Sequence, residues 1–176
     1  MKIRRLLLWT TLCVTFSVSL AAPLSASGVP QEVRVNITRV PAGGIVVRTR
    51  ERALYLKLDE ARAIRFPVAV PKSQMQWQGF ARINGKHLRP AWVPPAIVKR
   101  ANPDLPDYIP GGHPSNPMGA AALTLNLDEY AIHGTSPAMR GSIGMAASFG
   151  CVRMLNEDVL QLYQMVSVGT PVYVGP

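Results

Sequence analysis

The stretch Ser148-Phe149-Gly150-Cys151-Val152-Arg153-Met154 decides how this 176-residue chain is read, and Ile132-His133-Gly134-Thr135 is its companion. A thiol becomes a good nucleophile at neutral pH only beside a base or a positive neighbour. His133 ends a short apolar run that reads as a strand, a rigid place for a base. Gly150 allows a sharp turn before the thiol and leaves nearby amides free to face a developing oxyanion. Arg153 stands two residues past the thiol and, in an extended segment, shares its face. It suits bidentate capture of a carboxylate or depression of the thiol pKa. By residue type alone, the pair fits either a nucleophile with its base or two ordinary core residues.

The spacing and flanks add more. Fourteen residues, rich in alanine and glycine, separate His133 from Ser148, and they include Gly141 and Ser142-Ile143-Gly144. A histidine, this interval, then Ser-x-Gly-Cys-x-Arg resembles the signature of the L,D-transpeptidase catalytic domain family (the YkuD domain, or ErfK/YbiS/YcfS/YnhG group). The likeness runs from Gly43 to Val174. Glu51 to Leu56 resembles an early strand of the family, and Arg65-Phe66-Pro67-Val68-Ala69-Val70 resembles its "PVaVG" segment. Trp92 to Pro95 and Gly111 to Gly119 resemble its middle loops, and Asn156-Glu157-Asp158 and Gly169 to Val172 its end. Pro71 replaces an expected glycine, and Phe149 stands where His or Ser is common.

The resemblance implies a mainly β protein, a single YkuD-like β-sandwich domain with one or two short helices. It implies that Cys151 attacks a peptidoglycan tetrapeptide stem and that the acyl group passes through a thioester to an amine. His133 would act as base and then acid, the Gly134 carbonyl would orient the ring, and Arg153 and Ser148 would meet the substrate. The acceptor would be another stem or a cell-wall-anchored lipoprotein, carbapenem-type β-lactams would inhibit, and no cofactor would be needed. A hydrolase resembling an L,D-carboxypeptidase and an inactive wall-binding module are the alternatives.

Period-2 alternation predicts the strands. A short β-branched run at Ile45 to Val47 and the alternating Leu54 to Leu58 come first, then a hairpin partner at Ile64 to Val70 beyond the turn Asp59-Glu60. Phe80 to Ile83 follows, closed by a turn at Asn84-Gly85. From Leu88 to Met118 the chain is proline-rich and reads as one long loop, of the kind that is usually functional. Leu123 to Leu127 and Tyr130 to His133 resume the alternation. Asn156 reads as the N-cap of a helix, with Glu157 and Asp158 suited to its positive end and Val159, Leu162, Tyr163 and Val166 as its apolar stripe. Gly169 ends it before a closing strand at Pro171 to Val174.

The first residues set the expected compartment. Lys2, Arg4 and Arg5 precede an apolar run from Leu6 to Leu20 and small residues at Ala21, Ala22, Ser25, Ala26 and Ser27, the order of a secretory signal peptide. The expectation is a signal over 1–27, cleaved after a residue in 21–27, a short lead-in over 28–42 and the catalytic domain over 43–175. Export to the periplasm, in association with the cell wall, follows. The formal charge is +9, of which the signal supplies three, leaving +6 for the mature chain. Such a surplus suits an anionic partner, and the aromatic and basic interleaving of single-strand nucleic-acid binders is missing. Cys13 leaves with the signal, so Cys151 becomes the sole thiol and no internal disulfide can form. A lone thiol in an oxidising compartment is a liability unless buried or used. His87 reads as a solvated loop residue and His113 as a turn residue. With His133 and Cys151 they have no zinc-ligand spacing, so no metal site is expected. Trp77 and Trp92 read as packing residues.

Overall fold

The computed structural model describes residues 30–176; the expected signal segment lies outside them. The strands are β1 (Gln31–Arg34), β2 (Ile45–Arg48), β3 (Ala53–Lys57), β4 (Arg62–Pro67), β5 (Val70–Pro71), β6 (Gly79–Leu88), β7 (Ala121–Leu125), β8 (Ala131–His133), β9 (Ala146–Ser148), β10 (Val152–Arg153) and β11 (Pro171–Gly175). The helices are α1 (Ala96–Ala101) and α2 (Asn156–Met165), with 3-10 turns at Ser73–Met75 and Pro137–Ser142. One nine-stranded sheet runs β1-β4-β3-β2-β11-β6-β7-β8-β10, and β5 pairs with β9 beside it.

The hairpin β3–β4 forms because Asp59 Oδ1 accepts from the Ala61 and Arg62 amides at 2.9 Å each, an Asx turn that fixes the register. The alternation expected as far as Val70 breaks after Pro67. The chain there leaves β3, and Ala69 exchanges both backbone hydrogen bonds with Arg153 at the opposite edge of the sheet. Val70 then joins β9. Phe66, Val68 and Val70 therefore share one core with Leu123, Ile132, Val152 and Met154 from the far end of the sheet. Burying each such side chain stabilises the fold by roughly 1.5–3 kcal/mol.

Three sequence expectations change here. The strand from Phe80 does not stop at Asn84-Gly85: β6 continues to Leu88, with a bulge between Ile83 and Gly85. A bulge bends a strand and strengthens its twist, which lets β6 pair with β11 through Gly79–Arg82 and with β7 beyond. The described part of the expected lead-in, residues 30–42, packs onto the domain, since β1 pairs with β4 and Ile37 and Val40 are buried with Tyr55. The proline-rich stretch is also ordered by its own contacts. Trp92 and Ile109 exchange backbone hydrogen bonds at 2.8 Å, α1 lies between them, and Asn116 Nδ2 donates to the Pro90 and Pro110 carbonyls at 2.9 and 3.0 Å. Prolines remove donors and leave carbonyls to be satisfied, and the buried Asn116 satisfies them.

α2 packs on β7 and β8 through Val159, Leu162 and the following Val166. Leu155, not Asn156, holds the N-cap position, and no side chain caps the helix there. The two acids of its first turn diverge. Glu157 is exposed and makes a bidentate pair with Arg140 at 2.7 and 3.0 Å, which pulls its carboxyl down to about 2. Asp158 is buried with Oδ2 unpartnered, and burial pushes it up to about 6. A carboxyl raised in the folded state adds stability at low pH, and that stability is lost as pH rises through about 6. Asp158→Asn keeps the shape without ionising, so its melting temperature should exceed that of the wild type by more at pH 8 than at pH 4. An equal gap at both pH values would show that the carboxylate is accommodated after all.

Candidate active site

β8 and β10 run parallel with Ile132 opposite Val152 and His133 opposite Arg153. Ile132 and Val152 point into the core. By strand alternation, Cys151, His133 and Arg153 belong to the other face. All three line one cavity of about 720 Å³, bordered by Trp92, α1 and the loop through Met118.

His133 is 4% exposed. Its Nδ1 donates to the Gly134 carbonyl at 2.8 Å, since a carbonyl only accepts; Nε2 is thereby left for proton chemistry. Burial, helped by the Arg153 charge, lowers the ring to about 4, while the Gly134 and Pro117 carbonyls oppose that shift. The imidazole is neutral at pH 7. Burial pushes the Cys151 thiol up, against the Ala131 amide and the Arg153 guanidinium. The thiol donates to the Glu129 carbonyl at 3.5 Å. The resting pair is a neutral thiol and a neutral base, not a thiolate and an imidazolium.

The loop before the nucleophile is held from both sides. Gly150 has φ +150°, and a Cβ there would lie 2.6 Å from the Tyr130 ring. Tyr130 meets Trp77 edge-on at 5.4 Å between centroids, and Trp77 Nε1 donates to the Gly150 carbonyl at 3.2 Å. Ser148 is buried; its hydroxyl donates to the Cys151 carbonyl and accepts from the Gly150 amide at 3.4 Å. The Gly150 amide thus turns into the loop. Phe149 borders the cavity with Lys72 Nζ over its ring at 4.4 Å. His87 and His113 are exposed, and His113 Nδ1 pairs with Ser115 Oγ at 2.7 Å.

Asn156 is the site residue that sequence reasoning misplaced. Its Oδ1 accepts from the Ala120 amide at 2.9 Å and the Thr135 amide at 3.0 Å. A Cβ on either Gly119 or Gly134 would run into that oxygen. The two glycines leave room for the Asn156 side chain, and the side chain fixes the peptide following Gly134, whose carbonyl holds His133. A capping residue and a buried bracket look alike in sequence, because both place Asn at a helix start.

The family model described as the L,D-transpeptidase catalytic domain matches residues 42–174. The chain belongs to that family. It is 36% identical over 132 residues to a Fuscovulum blasticum protein named as an L,D-transpeptidase, covering 74% of this chain and 68% of that one. It is 35% identical to Escherichia coli YbiS, named as an L,D-transpeptidase, over 73% of this chain but 43% of YbiS. Among solved structures, a Brucella melitensis protein named for a carnitine operon oxidoreductase is 37% identical, with TM-score 0.55 and coverage of 84% and 93%. The fold also matches L,D-transpeptidase 3 of Mycobacterium tuberculosis bearing a faropenem-derived adduct, with TM-score 0.59, 16% identity and coverage of 77% and 61%. Family membership and the nine-stranded fold agree.

If Asn156 holds the Gly134 peptide, Asn156→Ala should slow acylation of Cys151 by about 10- to 100-fold, the range that small misplacements of catalytic groups produce. Asn156→Asp keeps the acceptor oxygen and should recover most of the rate. A folded Asn156→Ala protein that acylates at the wild-type rate would show that the bracket is dispensable.

Proposed function

We propose that this chain is an exported L,D-transpeptidase that takes the acyl group of a peptidoglycan tetrapeptide stem onto Cys151 and passes it to an amine. The observation that carries this reading is the neutral His133, fixed through Nδ1 to Gly134 and sharing one cavity with Cys151 and Arg153.

The steps follow from the protonation states. His133 Nε2 takes the thiol proton as sulfur attacks the carbonyl carbon before the terminal D-residue. The carbon–sulfur bond forms, the carbon–nitrogen bond breaks, and the imidazolium returns its proton to the leaving amine. A ring shifted to about 4 gives up a proton readily. Arg153, half-buried and without an acidic partner among the described residues, suits a stem carboxylate. An acceptor amine then attacks the thioester, and the thiol is regenerated. With water as acceptor, the same steps give hydrolysis.

A second stem or a lipoprotein amine fits as acceptor, and the +6 that remains of the full +9 once the signal's three cations are removed suits an anionic wall. The faropenem-derived adduct of the Mycobacterium tuberculosis neighbour, and the imipenem complex of LdtMt1, another structure of similar fold, support acylation of Cys151 by penem- and carbapenem-type β-lactams. The order of residues 1–27 supports export.

Cys151→Ala should abolish both stem turnover and the mass increase on incubation with a carbapenem. A change from thiol to methyl should shift stability by only about 1 kcal/mol. Mass spectrometry of the protein and of digested sacculi reads both. Turnover by a folded Cys151→Ala protein would refute the thioester route.

A further inference from the structure

The cavity around Cys151 carries two side chains of opposite charge, Arg153 and Glu129, and neither has an ion-pair partner among the described residues. Arg153 has a use in the reaction proposed above; Glu129 has none. Glu129 sits in the turn between β7 and β8 with φ +67°, a left-handed conformation that Gly or Asn adopts more readily. Its backbone carbonyl receives the Cys151 thiol at 3.5 Å, so the residue lies directly against the nucleophile. Glu129 is an exposed residue of the cavity wall, and its charge reaches the Cys151 thiol. A left-handed non-glycine residue at the wall of this cavity, its carboxylate close enough to act on the Cys151 thiol, points to a role for that side chain.

Its charge works against the first half of the reaction, because a carboxylate beside the sulfur disfavours the thiolate. Once the acyl group is on Cys151, the sulfur is an uncharged thioester and that repulsion is gone. The next reactant is an amine, which arrives from neutral solution as an ammonium ion. We propose that Glu129 forms the acceptor subsite, its carboxylate receiving the ammonium group of the incoming amine beside the Cys151 thioester. The ammonium gives one proton to solvent, the nitrogen lone pair attacks the thioester carbon, and the carbon–sulfur bond breaks. The second nitrogen proton passes through His133 Nε2 to the departing sulfur. Water carries no charge for Glu129 to attract, so the carboxylate favours amine transfer over hydrolysis.

This inference rests on the acyl transfer proposed above, and one experiment separates the two. The wild type, Glu129→Gln and Glu129→Gly are each acylated with a tetrapeptide stem, and the acyl-enzyme is followed by intact mass. Decay is then measured with Nα-acetyl-lysinamide, which is cationic at pH 7.5, and with hydroxylamine, which is neutral there. The ratio of the two rates should fall about two- to fivefold in both variants, the size expected for one exposed charge pair. Glycine at position 129 relieves the left-handed backbone, so Glu129→Gly should melt no lower than the wild type and keeps the test independent of folding. An unchanged rate ratio in a normally formed acyl-enzyme would overturn the acceptor subsite and leave the thioester intact. Failure of the wild type to form any acyl-enzyme would overturn the proposed reaction and the subsite together.

Discussion

The pairing of β8 with β10 is the constraint on which the site depends. These strands have only a few residues each, yet their register sets His133 against Arg153 and leaves Cys151 just outside the ladder. Ile132 and Val152 enforce it, because slipping a strand by one residue would turn both away from the core and expose them. The exchange of hydrogen bonds between Ala69 and Arg153 secures the other side of β10. The Cys151 thiol and the His133 ring are therefore placed by core packing, and the loops shape the cavity around them.

Around that pairing, the surroundings set the proton inventory. Burial acts on both members of the pair in the same sense, against charge: the ring moves down to about 4 and the thiol moves up. Creating an ion pair in the resting enzyme would require two charges in a poorly solvated place. A neutral pair avoids this. The arrangement asks more of orientation than of acidity. The Asn156 bracket supplies orientation by holding the peptide whose carbonyl fixes the ring. Tyr130 and Trp77 do the same for the backbone at Gly150.

Much of this was legible in the residues. Alternation located β3, β4 and β7, and a β-branched run located β2, although β2, β3, β7 and β8 are largely buried on both faces. The Ser148 to Arg153 motif and its distance from His133 marked the site. What alternation could not show is where a strand bends without stopping: Asn84-Gly85 has the composition of a turn, and only pairing with both β11 and β7 makes it a bulge. Asn116, Asn156 and Trp77 were illegible for a related reason. Each bonds to backbone groups distant in sequence, and backbone groups carry no residue signature. Asp158 reads as a favourable first-turn acid, but tertiary burial overrides the helix dipole at that position.

His133 is a neutral ring held as the Nδ1–H tautomer by the Gly134 carbonyl. A nitrogen-15 NMR titration of the imidazole in the folded Cys151→Ala protein measures it directly. The account predicts Nδ1 protonated and Nε2 bare from pH 8 down to pH 5, with protonation only near pH 4. A ring that titrates near its ordinary value of 6.5, or one that carries its proton on Nε2 at neutral pH, would contradict it.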